Sequence, residues 1–285
     1  MYTTLISAAQ LKALQTSGEP LMVFDCSFEL MNPAAADALF AEGHITGAVQ
    51  AHLERNLSAH DPALAVNGGR HPLPTRESVA HWLGGLGLTN TMQVVVYDRN
   101  KANYCGRLWW MLKWLGHDHV SVLDGGLQAW QAAGGSVDSA LPSARPATTF
   151  LLKPALRELT TTSTVEKHLG RDTQTLIDAR AAARYRGEVE PLDPIAGHIP
   201  GALNRPFNEN MSSEGFFKSP AQLKLEFETV LAGRDPSTVV HHCGSGVSAI
   251  PNVLAMEIAG LGPTALYAGS WSEWCNSPGL PCAQG

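Results

Sequence analysis

The chain has 285 residues, 44% hydrophobic and 16% charged, which excludes a disordered polymer and leaves room for two medium domains or one large one. A formal net charge of −6 argues against nucleic acid or an anionic membrane as the main partner, and no run approaches the roughly 18 apolar residues of a membrane-spanning helix. Five cysteines, odd in number and unevenly spaced, do not make a disulfide framework, so a reducing compartment such as the cytoplasm is expected.

Met1-Tyr2-Thr3-Thr4-Leu5-Ile6 carries no basic region and no long apolar stretch, so no secretory leader is expected. Ser7 to Thr16 reads as a helix and Leu21-Met22-Val23-Phe24-Asp25 as a strand, ahead of Gly43-His44-Ile45-Thr46-Gly47-Ala48. Further on, Arg76 to Gly85 reads as a helix, Val94 to Asp98 as a strand, Gly106 to Leu115 as a helix and Val120 to Leu123 as a strand. Trp109, Trp110 and Trp114 sit at helical spacing and point to core. Gly116, Gly134 and Gly135 fall where helices end. Ser136 to Pro154, rich in proline and poor in periodic apolar residues, reads as a linker.

The second half repeats these landmarks in order. Thr175-Leu176-Ile177-Asp178 matches Leu21 to Asp25, and Gly197-His198-Ile199-Pro200-Gly201-Ala202 matches the Gly-His-Ile motif. Val239 to Cys243 matches Val94 to Asp98, and Tyr267 to Trp274 matches Leu123 to Trp130. Four landmarks with nearly constant spacing make the chain two copies of one domain, bounded here as 1–138 and 159–285 with a linker at 139–158. Short buried strands alternating with helices imply an α/β fold, each copy a mostly parallel sheet flanked by helices. In such sheets ligands gather at the carboxyl ends of strands, where Asp98 and Cys243 fall.

Cys243 opens the loop Cys243-Gly244-Ser245-Gly246-Val247-Ser248, and Ala249 to Ile258 reads as a helix interrupted near its start by Pro251. Glycines allow several backbone N–H groups to converge on one point, and amides with a helix start behind them stabilise a thiolate. The competing reading is an inert strand-end cysteine, where many free cysteines lie. Cys26 and Cys105 read as packing residues, and Cys275 and Cys282 could close a bond around Pro278-Gly279. His241 and His242 point to opposite faces of a strand and do not chelate one ion easily, so no metal site is expected.

Gly-His-Ile-x-Gly-Ala in both halves, a cysteine in the second alone, and Gly269-Ser270-Trp271-Ser272-Glu273-Trp274 together resemble the tandem rhodaneses. The loop from Cys243 to Ser248 is similar to the Cys-Gly-Ser-Gly-Val-Thr loop of 3-mercaptopyruvate sulfurtransferases, whereas thiosulfate sulfurtransferases tend to carry Arg-Lys after the cysteine. The likeness spans about Ile6 to Trp274. A phosphatase of related fold would need arginine six residues beyond Cys243, and that residue is Ala249.

The resemblance implies a sulfurtransferase in which Cys243 takes sulfur from 3-mercaptopyruvate as a persulfide, releases pyruvate and passes the sulfur to cyanide, a small thiol or a protein thiol such as thioredoxin. It implies no metal and no organic cofactor. Gly244, Gly246, Val247 and Ser248 would line the substrate with their amides. Ser245 would work with His71, in Arg70-His71-Pro72-Leu73-Pro74, and a carboxylate from the first half. That position falls on Glu54, where relatives carry aspartate, with Asp61 as the alternative. Arg184 matches the family's substrate-binding arginine, while Arg180 reads equally as a substrate contact or an ion-pair partner. A second substrate arginine would follow Glu190-Pro191, but Leu192 stands there, and Arg186 is the candidate replacement. The remaining alternatives are a thiosulfate:cyanide sulfurtransferase and a non-enzymatic sulfur relay.

Overall fold

Valine runs form the middle of two five-stranded parallel sheets in a computed structural model, which describes all 285 residues. One unit holds Met1–Leu64, Pro74–Leu156 and Ser213–Phe216; the other holds Ala65–Leu73, Arg157–Ser212 and Phe217–Gly285. The first sheet runs Leu5–Ile6, Val120–Leu123, Gln93–Tyr97, Leu21–Asp25, Val49–Gln50 from edge to edge. The second runs Leu159–Thr160, Ala265–Tyr267, Val239–His242, Thr175–Asp178, Leu203–Asn204, the same order strand for strand. Both are parallel throughout, as expected from the alternation of short buried strands with helices.

Each central strand is buried on both faces, which is why Val94-Val95-Val96 and Val239-Val240 lack the polar alternation of a half-exposed strand. Helices close the faces. In the first unit these include Ala8–Ser17, held at its start by a reciprocal Ser7–Gln10 capping box, and Cys105–Trp114, every residue of which is buried. Trp109, Trp110 and Trp114 lie in that packed helix. In the second unit Pro251 leaves the helix Ile250–Ile258 unbroken, contrary to expectation. It sits in the first turn, where a missing N–H costs nothing.

The repeat extends to side-chain detail. His44 donates from Nδ1 to Phe40 O at 2.8 Å and stacks on that ring at 3.8 Å; His198 donates to Tyr185 O at 2.8 Å and stacks on Tyr185 at 3.8 Å. The two Gly-His-Ile motifs are therefore one structural device, a histidine pinning the segment before an edge strand to the preceding helical turn.

Three segments depart from a split at the linker, the shortest being Ser213–Phe216, which groups with the first unit. The proline-rich stretch up to Leu156 belongs with the first unit, where Thr148 N donates to Gly84 O and Asn90 exchanges hydrogen bonds with the backbone of Leu151. Residues 65–73, which carry Arg70 and His71, fold with the second unit although both flanking stretches belong to the first. This arm closes on itself: Val66 N donates to Leu73 O, and Leu73 N to Asn67 Oδ1.

Candidate active site

Cys243 leaves the carboxyl end of the strand Val239–His242 and is 2% exposed. Its own N–H donates to Ser270 Oγ at 3.1 Å, and its carbonyl accepts from Trp271 N at 2.9 Å. The next carbonyl, Gly244 O, accepts from Ser272 N at 2.9 Å. The loop then turns at Gly246, whose φ is +71° and where a Cβ would lie 2.3 Å from Ala268 O, so only glycine fits. The amides of Gly244, Ser245, Val247 and Ser248 have no acceptor within the protein. Four unspent N–H groups in a buried loop make an anion-binding nest.

The first unit shows what such a loop holds. Asp98, the counterpart of Cys243, is buried, and its carboxylate accepts from the amides of Asn100, Ala102, Tyr104 and Cys105 at 2.8–3.1 Å. Burial pushes its carboxyl up despite these amides. There the loop carries its own anion; around Cys243 the amides are free for another.

Arginines crowd the mouth of the Cys243 loop. A Cβ on Gly244 would meet Arg70 Nη2 at 3.2 Å, Arg184 Nη1 at 3.5 Å and Arg180 Cδ at 3.8 Å. Arg180 is committed: its guanidinium donates to both oxygens of Asp178, to Glu190 and to Gly197 O. Its side chain is 2% exposed. Burial opposes its charge, but Asp178, Glu190 and the Cys243 sulfur outweigh it and hold the guanidinium more firmly protonated than usual. Arg184 and Arg70 are more open, at 19% and 24%. Arg184 donates bidentately to Glu190 at 2.6 and 2.8 Å, and Arg70 donates to Asp193 at 2.8 Å. Burial would raise the Glu190 carboxyl, yet Arg184 and the amides of Leu192 and Asp193 keep it below its usual range.

Sequence reasoning missed Arg70. In sequence Arg70 stands out only as the neighbour of His71, and the family pattern points beyond Glu190-Pro191 for a second arginine. Arg186, the candidate replacement, instead pairs with Glu188 two residues on, and both are largely exposed. The available signal was the glycine pair in Gly68-Gly69-Arg70-His71, which marks a close backbone approach.

His71 and Ser245 come together. His71 Nδ1 lies 2.7 Å from Ser245 Oγ, with the residues 2% and 7% exposed. Glu54, in the first unit, lies in the first turn of the short helix Leu53–Asn56 and accepts from His60 Nε2 at 2.7 Å. Asp61 caps the turn Pro62–Leu64, accepting from Ala63 N.

His241 and His242 are fully buried, and none of their ring nitrogens has a hydrogen-bond partner. Burial, then His242, pushes His241 down to about 3, and burial also lowers His242, so both are neutral packing residues. The other cysteines are free thiols whose pKa values burial raises: Cys26 and Cys105 well above the usual range, Cys275 to about 11, and Cys282 upward as well. No group of three or more histidine, cysteine or acidic side chains is placed to hold a metal ion.

The model of the rhodanese-like domain matches the chain twice, over residues 7–133 and 161–277. The chain belongs to the rhodanese family. A probable 3-mercaptopyruvate sulfurtransferase of Pseudomonas aeruginosa is 45% identical over 99% of this rhodanese and 98% of its own length. A putative thiosulfate sulfurtransferase of Mycobacterium tuberculosis is 36% identical over 99% and 97%. Among solved structures, the 3-mercaptopyruvate sulfurtransferase of Leishmania major superposes with a TM-score of 0.83 at 30% identity, covering 98% of this chain and 76% of that one. The tandem arrangement read from the repeats is thus that of the family, and in this rhodanese only the second copy retains cysteine at the loop position. No helix is long and apolar enough to cross a membrane.

Proposed function

We propose that this rhodanese is a 3-mercaptopyruvate sulfurtransferase working through a Cys243 persulfide. The observation that carries the reading is the buried His71–Ser245 pair beside the Cys243 loop. The Cys243 thiolate attacks the sulfur of mercaptopyruvate, the carbon–sulfur bond breaks, and its electrons pass into the pyruvate enolate. The thiol proton of the donor must reach the enolate carbon, and the net products are the persulfide anion and pyruvate. Ser245 and His71 are the groups placed to move that proton, with Glu54, or else Asp61, as the carboxylate that orients His71. Thiosulfate leaves sulfite, which needs no proton, so an acid–base pair here has work with one donor and none with the other.

Charge supports the reading less than the loop sequence suggests. Gly244 and Ser245 bring no cation, but Arg70 and Arg184 reach the same place from other segments. Their partners Asp193 and Glu190 balance them, so the mouth has no excess positive charge for a dianion. A single carboxylate displacing one of those partners gains bidentate hydrogen bonds. We assign that role to Arg184 and Arg70, with Arg180 holding the loop's flank. The free amides of Gly244, Ser245, Val247 and Ser248, with Gly246 shaping the turn, receive the terminal sulfur of the persulfide.

Thiosulfate as donor is the second reading, favoured by the guanidinium groups at the mouth and by the Mycobacterium tuberculosis relative. A non-enzymatic relay is the third. The acceptors in our reading are cyanide, a small thiol or a thioredoxin-like dithiol, and free thiols throughout support a reducing cytoplasmic setting. Steady-state assays with both donors on one preparation separate the readings. We expect a higher kcat/KM with mercaptopyruvate. A preference for thiosulfate, or no turnover with either, overturns the assignment.

A further inference from the structure

The arm that carries His71 meets its surroundings through the His71–Ser245 contact, the Arg70–Asp193 ion pair and a backbone hydrogen bond to a serine that also grips the Cys243 loop. Ser272 lies in the short helix Ser270–Trp274 and is 4% exposed. Its N–H donates to Gly244 O at 2.9 Å, fixing the residue after the nucleophile. Its Oγ accepts from Arg70 N at 3.0 Å and lies 3.3 Å from Gly269 O, to which it donates. One residue therefore grips the nucleophile loop with its backbone and the arginine–histidine arm with its side chain.

The arm is shaped for this contact. Gly69 has φ +88°, and a Cβ there would lie 2.7 Å from Ser272 Oγ and 2.8 Å from Gly269 O. A Cβ on Gly68 would press on Glu273 at 3.2 Å. The two glycines let the arm backbone lie directly on the helix, and the serine hydroxyl ends the approach in a hydrogen bond. In the first unit the matching residue is Gln128, whose Nε2 donates to Arg99 O, so the side-chain latch belongs to the copy that keeps the cysteine.

We infer that Ser272 is a positioning residue: its hydroxyl latches the arm 65–73 and so sets both the His71–Ser245 contact and the reach of Arg70. The catalytic part of this inference rests on the proposed relay. The latch itself does not, because it can be read without turnover.

The test uses the full chain. In Ser272→Ala, amide exchange at Arg70 should quicken while exchange in the central strands Val239–His242 and Thr175–Asp178 stays as in the wild type. With mercaptopyruvate, kcat should fall and KM should rise together, by about 10- to 100-fold in kcat/KM, the cost of an ångström-scale misplacement. Gly69→Ala should give the same signature from the other side of the contact, and Ser272→Thr, which keeps the hydroxyl, should recover most of the rate. In a His71→Ala background, Ser272→Ala should cost no further kcat. Unchanged Arg70 exchange in Ser272→Ala overturns the latch. Quickened exchange with wild-type kinetics, or an equal kcat loss with and without His71, overturns its catalytic role. A wild-type rate in His71→Ala itself counts against the relay, and exchange at Arg70 then still decides the latch.

Discussion

Three guanidinium groups and three carboxylates gather around Gly244, and what separates them is how far each arginine is already spent. Arg180 is shut in with Asp178 and Glu190, and Glu190 keeps Arg184 without it, so removing Arg180 strips the buried Asp178 carboxylate of its guanidinium and should damage folding before it damages binding. Arg184 and Arg70 can trade a protein carboxylate for the donor's. Arg184→Ala and Arg70→Ala should each raise KM for mercaptopyruvate by about 10- to 100-fold, the equivalent of one charge-assisted hydrogen bond, with kcat less affected. Equal losses in kcat with no change in KM would contradict a binding role. For the relay, His71→Ala and Ser245→Ala should slow turnover by roughly 10²- to 10⁴-fold in a protein that remains folded. Glu54→Gln should match them if Glu54 orients His71; a loss confined to Asp61→Asn would move the role there. The Cys243 loop was legible as a motif, and the pairing of Ser245 with His71 followed from the resemblance to the family; the two side chains lie 2.7 Å apart. Arg70 was not legible, because its importance comes from a segment that folds with the other unit and from Asp193, far along the chain. Arg186 looked suitable only while its partner Glu188 was out of view.

At the scale of elements, the strand that delivers Cys243 carries an unusual burden. His241 and His242 occupy positions where a parallel strand buried on both faces wants an apolar side chain, and their ring nitrogens find no partner. The folded protein keeps His241 neutral to about pH 3, whereas the unfolded chain protonates it near 6.5. A depressed histidine gives its full support above 6.5 and loses it as pH falls, because protons then bind the unfolded chain first. Each pH unit below that point costs about 1.4 kcal/mol per such histidine. Unfolding by urea should therefore show stability dropping between pH 6.5 and 4, and His241→Leu should flatten the drop. An unchanged pH slope in that variant would show that the buried imidazole does not govern it. The strand was legible from its β-branched entry, and the opposite facing of the two histidines from the strand period. The helix behind the loop was read correctly except at Pro251, because proline breaks a helix interior but not its first turn.

For the whole molecule, the decisive pattern was duplication. The two sheets share one strand order, and Gly126 and Ser270 occupy equivalent turns at φ +59° and +56°. In one copy the loop wraps its amides round the Asp98 carboxylate; in the other it leaves them free around Cys243. A chain reading could find the repeat and the lost cysteine, since both are local in sequence. It could not find the exchange of residues 65–73 between units, since nothing local marks where a loop packs. The central claim is that Cys243 alone carries sulfur taken from mercaptopyruvate, and single-turnover labelling tests it most directly. The protein is mixed with mercaptopyruvate without acceptor, pyruvate is quantified, and the added sulfur is mapped by peptide mass. We expect one pyruvate released per chain and one sulfur atom on Cys243, with Cys243→Ser folded and unlabelled. Sulfur found on Cys26, Cys105, Cys275 or Cys282, or pyruvate released with no sulfur retained, would contradict it.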